Sequence, residues 1–270
     1  MDHGRVTAHA VLSLPDGRRI SYVDKGAGSP LVALHGTFGR GAVFDRLAHD
    51  LGAAVRVLAP DQRGHGLSDP ADDFSRAAFV ADVARFIEAL DVGPVALLGH
   101  SLGGVTAYQV AARHPHLVAA LVIEDVGAVT DSSVVDTPVL DTRGWPRSAP
   151  TRAALAAALI DRGIPDPTYF LLSAVAENGQ WRFLFDWEQM MAVQRAGAGS
   201  WWSDWTAATC PTLLLRATQS PFLPAPLADE MADRRPGTEV LTFPTGHWIH
   251  DDDPTGFATA VADFLDTVSG

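Results

Sequence analysis

A single cysteine, Cys210, stands among 270 residues. An intrachain disulfide is therefore excluded, and so is a thiolate zinc site built from this chain alone. Positive charge is also scarce. Twenty lysines and arginines face 32 aspartates and glutamates, a net charge of −12 with histidine neutral. With no Lys/Arg cluster, no nucleic-acid surface is expected. No apolar run approaches the ~18 residues of a membrane span. The N-terminal MDHGRVTAHAVL lacks the cationic segment and sustained apolar stretch of a signal peptide. The expectation is a cytoplasmic protein without nucleic-acid or membrane partners. Its composition, 47% hydrophobic and 19% charged, is that of a globular chain, long enough for one large domain or a core with an insertion.

Two alternating runs, VTAHAVLSL (6–14) and RRISYVD (18–24), flank Pro15-Asp16-Gly17, a hairpin signal. Short continuous apolar runs then alternate with amphipathic ones. Strands are expected at 31–35, 54–60, 94–99, 117–125, 211–217 and 238–244, and helices near 42–51, 75–90, 102–113, 224–234 and 254–268. The last helix opens at Asp253-Pro254, an N-cap residue followed by proline. This alternation predicts an α/β fold with an eight-stranded, mostly parallel, doubly wound sheet. Between Asp125 and Pro211 there is no strand signal, only helical patches such as TRAALAAALIDRG (151–163). So long an interval is read as an inserted helical cap. The division is core 1–126, cap 127–207 and core 208–270. The cap carries Trp145, Trp181, Trp187, Trp201, Trp202 and Trp205, which makes an apolar or aromatic substrate the expectation.

Where the run PVALL gives way to VTAYQVAAR stands Gly99-His100-Ser101-Leu102-Gly103-Gly104. A serine there sits at the carboxyl end of a buried strand, the edge at which open α/β sheets bind ligands. Flanking glycines let neighbouring backbone approach a strained strand-to-helix turn, and the new helix offers unpaired N–H groups to an oxyanion. Ser101 is thus the candidate nucleophile and Leu102 a candidate oxyanion donor.

Four motifs in this order resemble the α/β-hydrolases from residue 31 to the last helix. LVALHGTFG (31–39) is similar to the family's His-Gly oxyanion loop and VLAPDQRGHGLSDP (57–70) to the turn after its next strand. LLGHSLGG is similar to the nucleophile elbow, and FPTGHWIHDDDP (243–254) to the catalytic-histidine loop. The resemblance implies a serine hydrolase with His247 as general base and the Thr37 N–H as second oxyanion donor. His35 and His65 are expected to serve their turns. His250, beside Asp251, Asp252 and Asp253, is read as part of a solvated helix start and not as a metal site.

The acid departs from the common pattern. The loop where most relatives carry it reads Thr218-Gln219-Ser220-Pro221-Phe222-Leu223-Pro224, with no carboxylate, and Asp229 lies in a helical pattern. LVIEDVGA supplies Glu124 and Asp125 instead. Some relatives, certain haloalkane dehalogenases and the cofactor-independent quinolone dioxygenases among them, carry their acid after this strand. Adjacent strand residues face opposite ways, so only one of the two can reach His247. Asp125 is the choice and Glu124 the alternative. The expected pocket residues are Phe38, His100, Trp145, Trp187 and Trp248.

The leading reading is hydrolysis of an ester, lactone or thioester of a small apolar molecule, with no metal and no cofactor. Two alternatives on the same fold are cofactor-free dioxygenation, against which Leu102 counts, and carbon–carbon bond hydrolysis. A third is a non-catalytic small-molecule binder. The expected partner is a small apolar substrate, and the sequence leaves a homodimer open.

Overall fold

In the strand around residue 32, Leu31 and Ala33 face one side and Val32 and Leu34 the other, and all four are fully buried. That is the pattern of a strand covered by helices on both faces. A computed structural model describes residues 9–269. In chain order, β1 (Ala10–Ser13), β2 (Arg19–Lys25), β3 (Ser29–Leu34), β4 (Val55–Pro60), β5 (Val95–His100) and β6 (Val118–Glu124) come first. An insertion carries β7 (Ser148–Ala149), β8 (Ala174–Glu177) and β9 (Gln180–Phe183). The chain then returns with β10 (Thr212–Ala217) and β11 (Thr238–Phe243).

The main sheet has eight strands in the order β1-β2-β4-β3-β5-β6-β10-β11. Pairing is antiparallel at β1/β2 and β2/β4 and parallel at the other junctions. The first expected strand run is seen only from residue 9; its residues 6–8 lie outside the described residues.

The helices of the core are α1 (Asp45–Leu51), α2 (Arg76–Leu90) and α3 (Leu102–Arg113). The insertion adds α4 (Arg152–Ile160), α5 (Thr168–Leu172), α6 (Trp187–Gly197) and α7 (Trp202–Ala207), and the core resumes with α8 (Ala225–Arg234), α9 (Ile249–Asp252) and α10 (Pro254–Ser269). Phe44, Leu47, Phe257 and Val261 bring α1 and α10 onto one face of the sheet. Val83, Ile87, Tyr108 and Met231 bring α2, α3 and α8 onto the other. Helix starts follow their caps. The Ser75 hydroxyl accepts from Ala78 N–H, and Asp253 Oδ1 accepts from Gly256 N–H ahead of the proline-led α10. Among the described residues no helix is long and apolar enough to cross a membrane.

The insertion is not all helical, which corrects the expectation of no strands between Asp125 and Pro211. It holds a three-stranded antiparallel sheet, β7-β9-β8. Its hairpin turns at Asn178-Gly179, where φ is 50° and 77°. Asn-Gly is the dipeptide that best tolerates two successive left-handed residues, and it closes a two-residue hairpin without strain.

One register positions the site. His100 at the end of β5 stands opposite Glu124 at the end of β6. The next residues of the two chains, Ser101 and Asp125, therefore emerge side by side at the carboxyl edge, on the sheet face opposite to His100 and Glu124.

Candidate active site

Ser101 holds φ 51° and ψ −122° between β5 and α3, a conformation that costs an L-residue of order 1–3 kcal/mol. Close backbone packing holds it there. A Cβ on Gly99 would lie 2.3 Å from Gly103 O, and one on Gly103 would lie 2.1 Å from Leu34 O. Ser101 N–H donates to Glu124 O at 3.0 Å, tying the turn to β6. Five non-glycine residues among those described have positive φ. Three of them, Phe38, Ser101 and Asp125, converge here, and strain of this kind concentrates at functional sites.

His247 stands in an irregular segment between β11 and α9. Its Nδ1 lies 2.7 Å from Asp125 Oδ2, and the Asp125 side chain is fully buried. Asp125 Oδ1 accepts from Ala217 N–H at 3.0 Å, which fixes the carboxylate plane. Of the two acids the sequence left open, Asp125 therefore meets His247, while Glu124 turns to the other face and meets His250. His250 is 4% exposed. It is a core residue and not part of a solvated helix start, because Glu124 gives its ring a buried partner. His100, Glu124 and His250 have donor atoms within 4.8 Å of one another. Both Glu124 oxygens are engaged by His250, while His100 Nδ1 and His250 Nε2 have no hydrogen-bond partner among the described residues.

In place of the missing acid, the loop after β10 lays Phe222 on the His247 ring, centroids 4.2 Å apart. Ser101 and His247 line one cavity without a hydrogen bond between them. Catalytic contacts of this kind often tighten only when substrate is bound.

The segment after β3 also faces this cavity. Among the described residues, the Thr37 and Leu102 amides have no hydrogen-bond partner, and both residues line the cavity. Neighbouring amides are held by neutral imidazoles. His35 Nδ1–H donates to Gly36 O and its Nε2 accepts from Gln62 N–H; His65 Nδ1–H donates to Arg63 O and its Nε2 accepts from Phe38 N–H. Burial holds His35 well below the ordinary histidine pKa and takes His65 to about 4. Burial, with His247 and His250 nearby, also lowers His100.

Lowered histidine pKa values mean that the unfolded chain binds more protons. Their stabilisation is present above pH 6.5 and is lost as pH falls from there toward the folded values. Between pH 6.5 and 5.5 His65 is expected to remove about 1 kcal/mol, with His35 and His100 acting in the same direction. The urea midpoint should fall accordingly, and a flat midpoint over that range would refute the assignment.

The cavity has a volume of about 350 Å³. Phe38, His100 and Trp248 line it as expected. Trp145 and Trp187 do not. Their rings pack 5.1 Å apart, Trp187 Nε1–H donates to Pro146 O, and both border a separate surface depression of about 230 Å³ with Arg143 and Arg147. They serve the inserted segment's own core, whose helices have an apolar face to bury. The walls come instead from residues that sequence reasoning passed over, including Val126, Leu140, Ile164, Phe170, Gln194 and Phe222.

The model of the family described as "Alpha/beta hydrolase family" matches residues 31–260. The chain belongs to this family. Among its alpha/beta hydrolase relatives, the sn-1-specific diacylglycerol lipase ABHD11 of Xenopus laevis is 30% identical over 264 residues, covering 89% of this chain and 80% of that protein. The 2-(acetamidomethylene)succinate hydrolase of Mesorhizobium japonicum is 27% identical over 251 residues, covering 90% of each. A solved structure of E-2-(acetamidomethylene)succinate hydrolase superposes with a TM-score of 0.87 at 24% identity, over 96% of this chain and 99% of that one, and shares the alpha/beta hydrolase fold.

Proposed function

We propose that this alpha/beta hydrolase cleaves an ester, lactone or thioester of a small, uncharged, apolar acid through an acyl-enzyme. The observation that carries the reading is the buried 2.7 Å contact between His247 Nδ1 and Asp125 Oδ2, at the wall of the cavity that Ser101 also lines. With Nδ1 bonded to a carboxylate, the imidazole keeps Nε2 free to accept a proton. Ser101 Oγ attacks the carbonyl carbon as His247 Nε2 takes its proton. The Thr37 and Leu102 N–H groups receive the oxyanion, and His247 returns the proton to the leaving group. Water then attacks the acyl-enzyme by the same steps.

The cavity walls support an uncharged acyl group. Among the described residues that line it there is no lysine, arginine, aspartate or glutamate. Two of its polar side chains are already engaged. Thr130 Oγ1 bonds Gly197 O, Gly199 N–H and Trp201 Nε1–H, while Gln194 bonds both main-chain groups of Leu140. A terminal carboxylate would meet no cationic side chain there.

Two measurements test the proposal. A fluorophosphonate probe should label the protein at Ser101, located by peptide mapping; folded protein that neither labels nor turns over esters would end the serine-hydrolase reading. In addition, 4-nitrophenyl hexanoate should exceed the mono-4-nitrophenyl ester of adipic acid in kcat/KM by at least roughly 100-fold, the scale set by desolvating an unpaired charge. Equal turnover of the two would refute the apolar acyl site.

A further inference from the structure

Beneath the cavity lies a second imidazole–carboxylate pair that the chemistry above leaves unused. Glu124 and His250 are both buried. Glu124 Oε1 accepts from the His250 main-chain N–H at 3.0 Å and lies 2.8 Å from His250 Nδ1, with Oε2 at 3.0 Å. The Glu124 main-chain carbonyl also accepts from Ser101 N–H at 3.0 Å. On the neighbouring strand, His100 Nε2–H donates to His247 O at 3.1 Å, and its ring lies 5.0 Å from that of His250.

Adjacent carboxylates at one strand end thus hold two imidazoles three residues apart on one segment. Asp125 takes His247 and Glu124 takes His250, and Glu124 is tied to the Ser101 turn as well. A buried ion pair is a poor source of stability, since well-packed apolar residues of the same volume do as well or better. What it supplies is a fixed position. His247 needs that, because its segment has no regular structure of its own.

We propose that Glu124 and His250 are positioning residues, a second clasp that holds the His247 segment in line with Ser101. The inference rests on the serine-hydrolase reading. The surroundings of His250 agree with it. Glu124 from β6, His100 from β5, Tyr169 from α5, and Asp251 and Asp252 from its own helix face it. Burial by itself would lower its pKa, but the charge and hydrogen bond of Glu124, with Asp251 and Asp252, outweigh that and raise it. The imidazolium is the form that grips a carboxylate most firmly.

The test uses the full-length wild type, Glu124→Gln, His250→Gln and the double variant, each with 4-nitrophenyl hexanoate. Each single substitution should lower kcat about 10- to 100-fold, the scale of a misplaced catalytic group, with KM within about twofold. The double variant should be no slower than the slower single, because both substitutions open the same clasp. Proton NMR of the wild type should show two imidazole N–H resonances shifted downfield beyond those bonded to carbonyls, one for each carboxylate-bonded ring, of which Glu124→Gln keeps one. Unchanged kcat, a rise in KM alone, additive losses, or a single wild-type resonance would each overturn the clasp. Should Glu124→Gln fail to fold, His250→Gln and the wild-type spectrum decide. Failure of fluorophosphonate labelling in the wild type would strike the parent reading; labelled wild type with full kcat in Glu124→Gln would strike only the clasp.

Discussion

Alanine in place of Ser101 is expected to lower kcat on a neutral nitrophenyl ester by about 10⁴-fold or more, ~5.5 kcal/mol of barrier, and to abolish fluorophosphonate labelling. Among the described residues, the cavity's other hydroxyls belong to Thr37, Thr130 and Thr137, and none of them has a histidine within hydrogen-bond distance to take its proton. The Ser101 position itself is fixed by backbone, through Glu124 O and the close packing of Gly99 and Gly103. Loss of one oxygen should therefore leave the turn and the melting temperature nearly intact. Retention of even one-tenth of the activity would show that the nucleophile lies elsewhere.

Asp125→Asn is expected to cost a comparable amount, about 10⁴-fold in kcat. The amide is nearly the size of the carboxylate, and its oxygen can keep the Ala217 N–H bond at Oδ1. Its NH₂ then faces His247 Nδ1, which must turn acceptor. The imidazole proton moves to Nε2, and the base presents a hydrogen where it needs a lone pair. The loss should sit in kcat, with labelling slowed rather than abolished. If Asp125→Asn keeps near-normal turnover, His247 has another orienting partner. The contrast with Glu124→Gln, expected to be about 100- to 1000-fold milder, separates the group that holds the imidazole from the group that holds its segment.

Much of this arrangement was legible in the residues. Alternating apolar runs placed the eight strands of the sheet within a residue or two at most ends, because a strand buried on both faces has few ways to be written. His-Gly, Gly-x-Ser-x-Gly and Gly-His motifs fell where the strands stop. The contact of Asp125 with His247 was legible too, from the resemblance that directs attention to the end of β6 and from the opposite facing of Glu124 and Asp125. Packing inside the insertion was not. Tryptophans advertise burial without saying against what, so Trp145 and Trp187 were assigned to the cavity when they close the insertion's own core. The Asn178-Gly179 hairpin carried a usable signal that helical alanine runs around it obscured. Glu124–His250 needed three-dimensional information, since the β5/β6 register sets His100 beside Glu124 and only the fold brings His250 of α9 to them.

With the carboxylate that meets His247 carried just after β6, the stretch 218–224 holds no acid on the proposed reading. It contributes Phe222 as a wall and little else to the chemistry. Its length and bulk can then vary to reshape the doorway while Ser101 and Asp125 keep their places at the ends of β5 and β6.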